Sequence, residues 1–157
     1  MTADQPLVGI LTGSASDLPV IEQAGAILEK FDVPHEIHVM SAHRNPDQVD
    51  EYVRMAEERG LQVLICGAGM AAHLAGAVAA RTILPVIGVP IAAKHLGGAD
   101  ALYSTVQMPR GVPVATVAID GAVNAAILAV QIIAVGDENL RVTLRKFKED
   151  LGEGLKL

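Results

Sequence analysis

The sequence contains no tryptophan, and only two tyrosines and two phenylalanines among its 157 residues. That scarcity argues against a site that stacks nucleobases or a flavin on aromatic rings, and it leaves Ala, Val, Ile and Leu to build the core. Cysteine occurs once, as Cys66, so an internal disulfide and a thiolate metal cluster are both excluded. A buried, inert thiol is the expectation there. Basic residues are few: twelve Lys and Arg against eighteen Asp and Glu give a formal charge of −6, the wrong sign for a nucleic-acid footprint. Charged residues are 19% of the chain and hydrophobic ones 51%, the reverse of the balance that keeps a chain disordered.

Long uninterrupted apolar runs are also missing. The most apolar stretch, from Val112 to Val135, is broken by Asp120, Asn124 and Gln131 and carries Pro113, which does not suit a membrane helix. The segment from Met1 to Leu7 lacks the basic and apolar regions of a signal peptide. The expectation is a cytoplasmic protein of one domain over residues 1–157, with a core over about 7–135 and a helical extension over about 137–157. So high an apolar fraction in so short a chain points to apolar surface buried between subunits.

What the chain does have is an alternation. β-rich runs at Leu7–Thr12, Ile37–Met40, Leu61–Cys66, Pro85–Pro90 and Val112–Ala118 read as strands. Between them, Asp17–Phe31 shows apolar residues at helical spacing, Pro46 opens a second helix reaching about Arg59, and a small-residue helix spans about Ala71–Arg81. A short helix over Gly98–Val106 and a long Ala-rich one over Ala122–Val135 complete the pattern. Nearly continuous apolar strands alternating with helices predict a three-layer α/β/α sandwich, a flavodoxin-like parallel sheet covered on both faces. Leu140, Leu144, Phe147 and Leu151 recur at helical spacing in the charged C-terminal segment. That helix fits either the surface of its own subunit or a neighbour.

In such sheets ligands bind beyond the carboxyl ends of the strands, so the residues after each strand are the candidates. After the first come Gly13, Ser14, Ser16 and Asp17 at a helix start. Free N–H groups and hydroxyls there suit a phosphate, Asp17 suits ribose hydroxyls, and equally Ser16 or Asp17 can simply cap the helix. After the second come Ser41, Ala42, His43 and Arg44. Imidazole titrates at about pH 6.5 and can exchange protons in the cell, and a guanidinium is a fork for phosphate or carboxylate. A histidine in such a loop can also be an idle surface residue.

After the third strand, Gly67 to Leu74 is a run of small residues in which ligand approach and tight packing are equally good explanations. His73 there reads as a hydrogen-bonded structural histidine, and His35 and His38 as facing solvent or a subunit contact. The five histidines match no zinc spacing, and P-loop, HExxH and GxSxG signatures are all absent. The loops Lys94–Gly98 and Gln107–Gly111 suit a lid, a subunit contact or plain turns. From the residues alone, the chemistry is a phosphorylated small molecule and one histidine for proton transfer.

Taken together, Gly13-Ser14-x-Ser16-Asp17, Ser41-Ala42-His43-Arg44-x-Pro46 and Gly67-Ala68-Gly69-x-Ala71-Ala72-His73-Leu74 resemble the N5-carboxyaminoimidazole ribonucleotide mutases of purine biosynthesis. The resemblance runs through Gly88-Val-Pro90, Ser104 to Pro109 and Gly111 to Val114 as far as Asn124-Ala125-Ala126. It implies a homo-octamer with sites at subunit junctions, a ribonucleotide substrate, and no metal or organic cofactor. It implies His43 as the acid and base, and substrate contacts from Ser14, Ser16, Asp17, Ser41, Arg44, Ala68, Gly69, Ala71 and Leu74. Of these, Ala68, Gly69 and Ala71 would wall a CO2 pocket. Arg44 resembles the bacterial mutase class, whereas animal-type carboxylases typically carry Lys there. Met70 and Ala75 depart from the family, which usually has Gly and often Pro at those places. The sister reaction, direct carboxylation of aminoimidazole ribonucleotide by CO2, uses the same pocket. A non-catalytic flavodoxin-like nucleotide-binding module is the alternative of a different class.

Overall fold

A computed structural model describes residues 5–157. Strands β1 (Val8–Thr12), β2 (His35–Val39), β3 (Val63–Gly69), β4 (Val86–Ile91) and β5 (Ala115–Thr116) form an all-parallel sheet in the order β2-β1-β3-β4-β5. Between and after them come α1 (Leu18–Lys30), α2 (Pro46–Ala56), α3 (Leu74–Ala79), α4 (Ala99–Val106), α5 (Ala122–Ile133) and α6 (Glu138–Gly152). This is the flavodoxin-like α/β architecture that the alternation predicts.

Strand alternation sends side chains to two cores. Val8, Ile10, Val63, Ile65, Ile87 and Val89 face α1 and α5, packing on Ile21, Leu28 and Val130. Leu11, Leu64 and Cys66 face α2 and α3, packing on Val53, Leu74 and Val78. Both faces are therefore apolar, as parallel strands require. Burial pushes the Cys66 thiol well above its ordinary pKa, in keeping with an inert core residue. Gly67 lets α1 approach β3: a Cβ there would collide with Ile21.

Element boundaries differ from the sequence pattern in instructive ways. β3 runs on through Gly67, Ala68 and Gly69 rather than ending at Cys66, because β4 continues beside it to Ile91. α3 begins only at Leu74, after a turn through Met70–His73. α2 stops at Ala56, where Leu61 N–H bonds the Ala56 carbonyl (3.1 Å) and Gly60 takes φ 85°. β5 is two residues long, not the seven of Val112–Ala118: it is an edge strand, and Pro113 has no N–H to offer a ladder. β2 starts earlier than expected, at His35, paired to Val8.

The C-terminal helix α6 lies on its own subunit. Asp137 accepts a bond from Leu140 N–H (3.0 Å) and starts it. Leu140, Leu144 and Phe147 turn onto the α1/α5 core, with Phe147 edge-to-face on Phe31 at 5.2 Å. Among the described residues no helix is long and apolar enough to cross a membrane.

Candidate active site

β1 starts in the middle of the sheet, with β2 on one side and β3 on the other. The crevice where such a strand order reverses is the expected ligand position, and a cleft of about 520 Å³ opens there. The end of β1 supplies Ser14, Ser16 and Asp17; the end of β2 supplies Ser41, His43 and Arg44; β3, the turn after it and the first residue of α3 supply Ala68, Gly69, Ala71 and Leu74. Every candidate residue thus lines one cleft. The turn after β3 adds His73 and Met70, and the residues that follow β4 add Ala92 and Ala93. Lys94 and His95 lie beyond them in an exposed turn.

The β1 end is a hydroxyl ladder. Ser14 Oγ accepts from Ser16 N–H (3.3 Å) and lies 2.8 Å from Ser16 Oγ, which donates to Asp17 Oδ1 at 3.2 Å. Ser14 therefore caps the single 3₁₀ turn Ala15–Asp17, whereas the side chain of Asp17, at the α1 N-cap, makes no capping bond. The expectation that Ser16 or Asp17 caps the helix is corrected: the cap lies one turn earlier.

The β2 end is braced onto this loop. Arg44 Nη2 donates to the Gly13 carbonyl at 2.6 Å, and Arg44 N–H donates to Ser41 Oγ at 3.2 Å. Ser41 N–H in turn donates to Asn45 Oδ1 at 2.8 Å. The guanidinium spends one donor on the loop and keeps others for a ligand.

The sequence pattern reads His73 as structural. It is hydrogen-bonded, but to His43: Nε2 of His43 and Nδ1 of His73 are 2.7 Å apart, with the rings perpendicular and both side chains exposed to the cleft. A contact between two ring nitrogens requires one to donate and the other to accept. The turn after β3 holds His73 in reach, its N–H bonded to the Ala71 carbonyl at 2.9 Å. The usable signal in the sequence is its place one residue before α3, at the carboxyl end of a strand. His38 lies near Glu36 and Tyr52, away from the cleft, and His35 bonds the Val33 carbonyl through Nδ1 at 3.2 Å. Among the described residues no cluster of His, Cys, Asp and Glu could hold a metal ion.

The cleft thus has a polar end, made by β1 and β2, and an apolar end of small residues at β3 and β4. Residues 7–153 match the AIR carboxylase family. An N5-carboxyaminoimidazole ribonucleotide mutase of Pyrococcus horikoshii is 55% identical over 96% of this chain and 85% of its own, and one of Thermotoga maritima 55% over 92% and 84%. A chloroplastic phosphoribosylaminoimidazole carboxylase of Vigna aconitifolia is 52% identical over 95% of this chain but 27% of its own length. The crystal structure of Treponema denticola PurE superposes with a TM-score of 0.84 at 30% identity, covering 94% of this chain and 92% of that one. With the match spanning nearly its whole length, the chain belongs to the AIR carboxylase family.

Proposed function

We infer that the chain is an isomerase of purine biosynthesis, converting N5-carboxyaminoimidazole ribonucleotide to 4-carboxy-5-aminoimidazole ribonucleotide. The observation that carries the chemistry is the His43–His73 pair at 2.7 Å, set between a polar and an apolar end of one cleft. The reaction moves a carboxylate from the exocyclic nitrogen to ring carbon C4, so a proton must reach that nitrogen and another must leave C4.

His43 in its imidazolium form gives a proton to the nitrogen as the N–C bond of the carbamate breaks and CO2 departs. The enamine carbon C4 then attacks CO2, forming the new C–C bond. Neutral His43 takes the C4 proton, restoring the aromatic ring and its own starting charge. One imidazole serves as acid and then as base, which calls for a group that titrates near the working pH. His73 faces His43 and orients its ring, and the shared hydrogen bond gives the travelling proton a second acceptor.

The polar end matches the rest of the substrate. Ser14, Ser16 and the free donors of Arg44 suit the anionic phosphate or carboxylate, and Asp17 suits the ribose hydroxyls. Ser41, whose Oγ accepts from Arg44 N–H, sets the loop that carries His43. Ala68, Gly69, Ala71 and Leu74 give an apolar wall where CO2 meets few competing water molecules.

Assembly as a homo-octamer with clefts at subunit junctions is part of this reading. It is supported by apolar side chains left exposed on the subunit: Ile83 is 88% exposed, Tyr103 67% and Leu96 64%. A cytoplasmic location fits an acidic chain whose lone cysteine is a buried free thiol. The test of the proton role is His43→Asn, assayed for binding by calorimetry and for turnover by product formation. Binding is expected to persist while kcat falls by roughly 10²–10⁴-fold; near-normal kcat would sink the role of His43.

A further inference from the structure

Met70 follows the last residue of β3 and adopts φ 54°, the left-handed region that a side chain bearing Cβ enters at a cost. Glycine would enter it freely. The chain instead places a long thioether there, 59% exposed, in the wall of the cleft. Strained backbone of this kind persists where the surroundings hold it, and it gathers at ligand clamps.

The neighbours of Met70 say what it could clamp. Gly69 precedes it and Ala71 follows it, and His73 three residues on reaches His43. Ala68, Ala92 and Ala93 extend the same apolar end with side chains no longer than a methyl group. Leu74 is larger but fixed in the core, 2% exposed. Met70 therefore has the reach and the three rotatable bonds needed to sweep across this end. It is exposed on the subunit, so folding onto a bound ligand removes apolar surface of that subunit from solvent.

We propose that Met70 closes the apolar end of the cleft over the bound ribonucleotide and retains released CO2 until C4 captures it. Resting on the mutase activity inferred above, this assigns Met70 control over how much CO2 escapes per turnover. CO2 carries no net charge, so a wall that excludes water and blocks the exit holds it better than hydrogen-bond donors would.

The test supplies N5-carboxyaminoimidazole ribonucleotide to the full chain in ¹³C-bicarbonate buffer with carbonic anhydrase, so that free CO2 carries label. Mass spectrometry of the 4-carboxy product reads the fraction of carboxylate drawn from solution. That fraction is counted per product molecule at early times and corrected by an enzyme-free arm for carbamate lost spontaneously to water, so that a slower or partly unfolded variant lowers yield without altering it. Met70→Gly is expected to raise the labelled fraction by about tenfold, the scale of one lost apolar contact. Met70→Leu, of similar bulk, is expected to keep it low.

An unchanged fraction in Met70→Gly overturns the retaining role while leaving the reaction standing. The retaining role is equally overturned if Met70→Leu rises as far as Met70→Gly, or if the unmodified protein already exchanges label completely. If the unmodified protein makes no 4-carboxy product, the mutase activity itself is overturned, and the role of Met70 with it.

Discussion

Nε2 of His43 and Nδ1 of His73 meet at 2.7 Å across thirty residues of chain, one ring carried beyond β2 and the other beyond β3. Because one nitrogen must donate and the other accept, each ring fixes the tautomer and the plane of the other.

His73 is therefore expected to act through His43. His73→Ala should lower kcat by about tenfold to a hundredfold, less than loss of His43, with KM nearly unchanged. His73→Asn offers an amide oxygen near the Nδ1 position and should recover part of that loss. The pH–rate profile discriminates: a positioning role moves its limbs, while a purely structural role lowers the whole curve without shifting it.

Gly67 sits where β3 meets α1, and a Cβ there would collide with Ile21. Gly67→Ala should destabilise the fold by about 1–3 kcal/mol through overpacking. Gly152, in the last turn of α6, has nothing within 4 Å of a Cβ. Gly152→Ala should be neutral or stabilising by up to about 1 kcal/mol. Urea unfolding midpoints of the two variants test the contrast, and a stable Gly67→Ala would mean that α1 yields at no cost.

Glu36 gives the fold an acid-sensitive contact. Burial raises its pKa, but hydrogen bonds from Arg59 (2.6 Å) and Tyr52 (2.7 Å), with the charges of Arg59 and His38, outweigh that and hold it below the ordinary 4.5. A carboxyl whose folded pKa lies below its unfolded one stabilises fully above 4.5, and that stability is lost as pH falls through the depressed value. Glu36→Gln should therefore lower the urea midpoint at neutral pH, and the gap from the unmodified protein should close as pH falls below the ordinary carboxylate range. A gap that persists unchanged in acid would contradict the ionic origin of the contact.

Much of this molecule can be read from local pattern. Apolar strands such as Leu7–Thr12, the proline opening α2 and the spacing of Leu140, Leu144 and Phe147 all act over a few residues, and each reappears in the fold. The candidate residues are legible because strand ends in a parallel sheet converge, whatever the helices do. The pairing of His73 with His43 is not, because it depends on how two loops thirty residues apart face each other. Neither is the length of β5, which its edge position limits. Met70 already stands out in the sequence where the family usually has Gly, and its backbone angle, φ 54°, supplies the physical reason that a methionine is an unusual choice at that turn.

At the centre stands the claim that this cleft moves a carboxylate from nitrogen to carbon. An ATP-free assay that offers N5-carboxyaminoimidazole ribonucleotide in one arm, and aminoimidazole ribonucleotide with bicarbonate in the other, tests it directly. Rapid formation of the 4-carboxy product in the first arm, with slow formation at high bicarbonate in the second, is the expected result. Preference for the second arm would make the protein a direct carboxylase despite Arg44, and would contradict that claim.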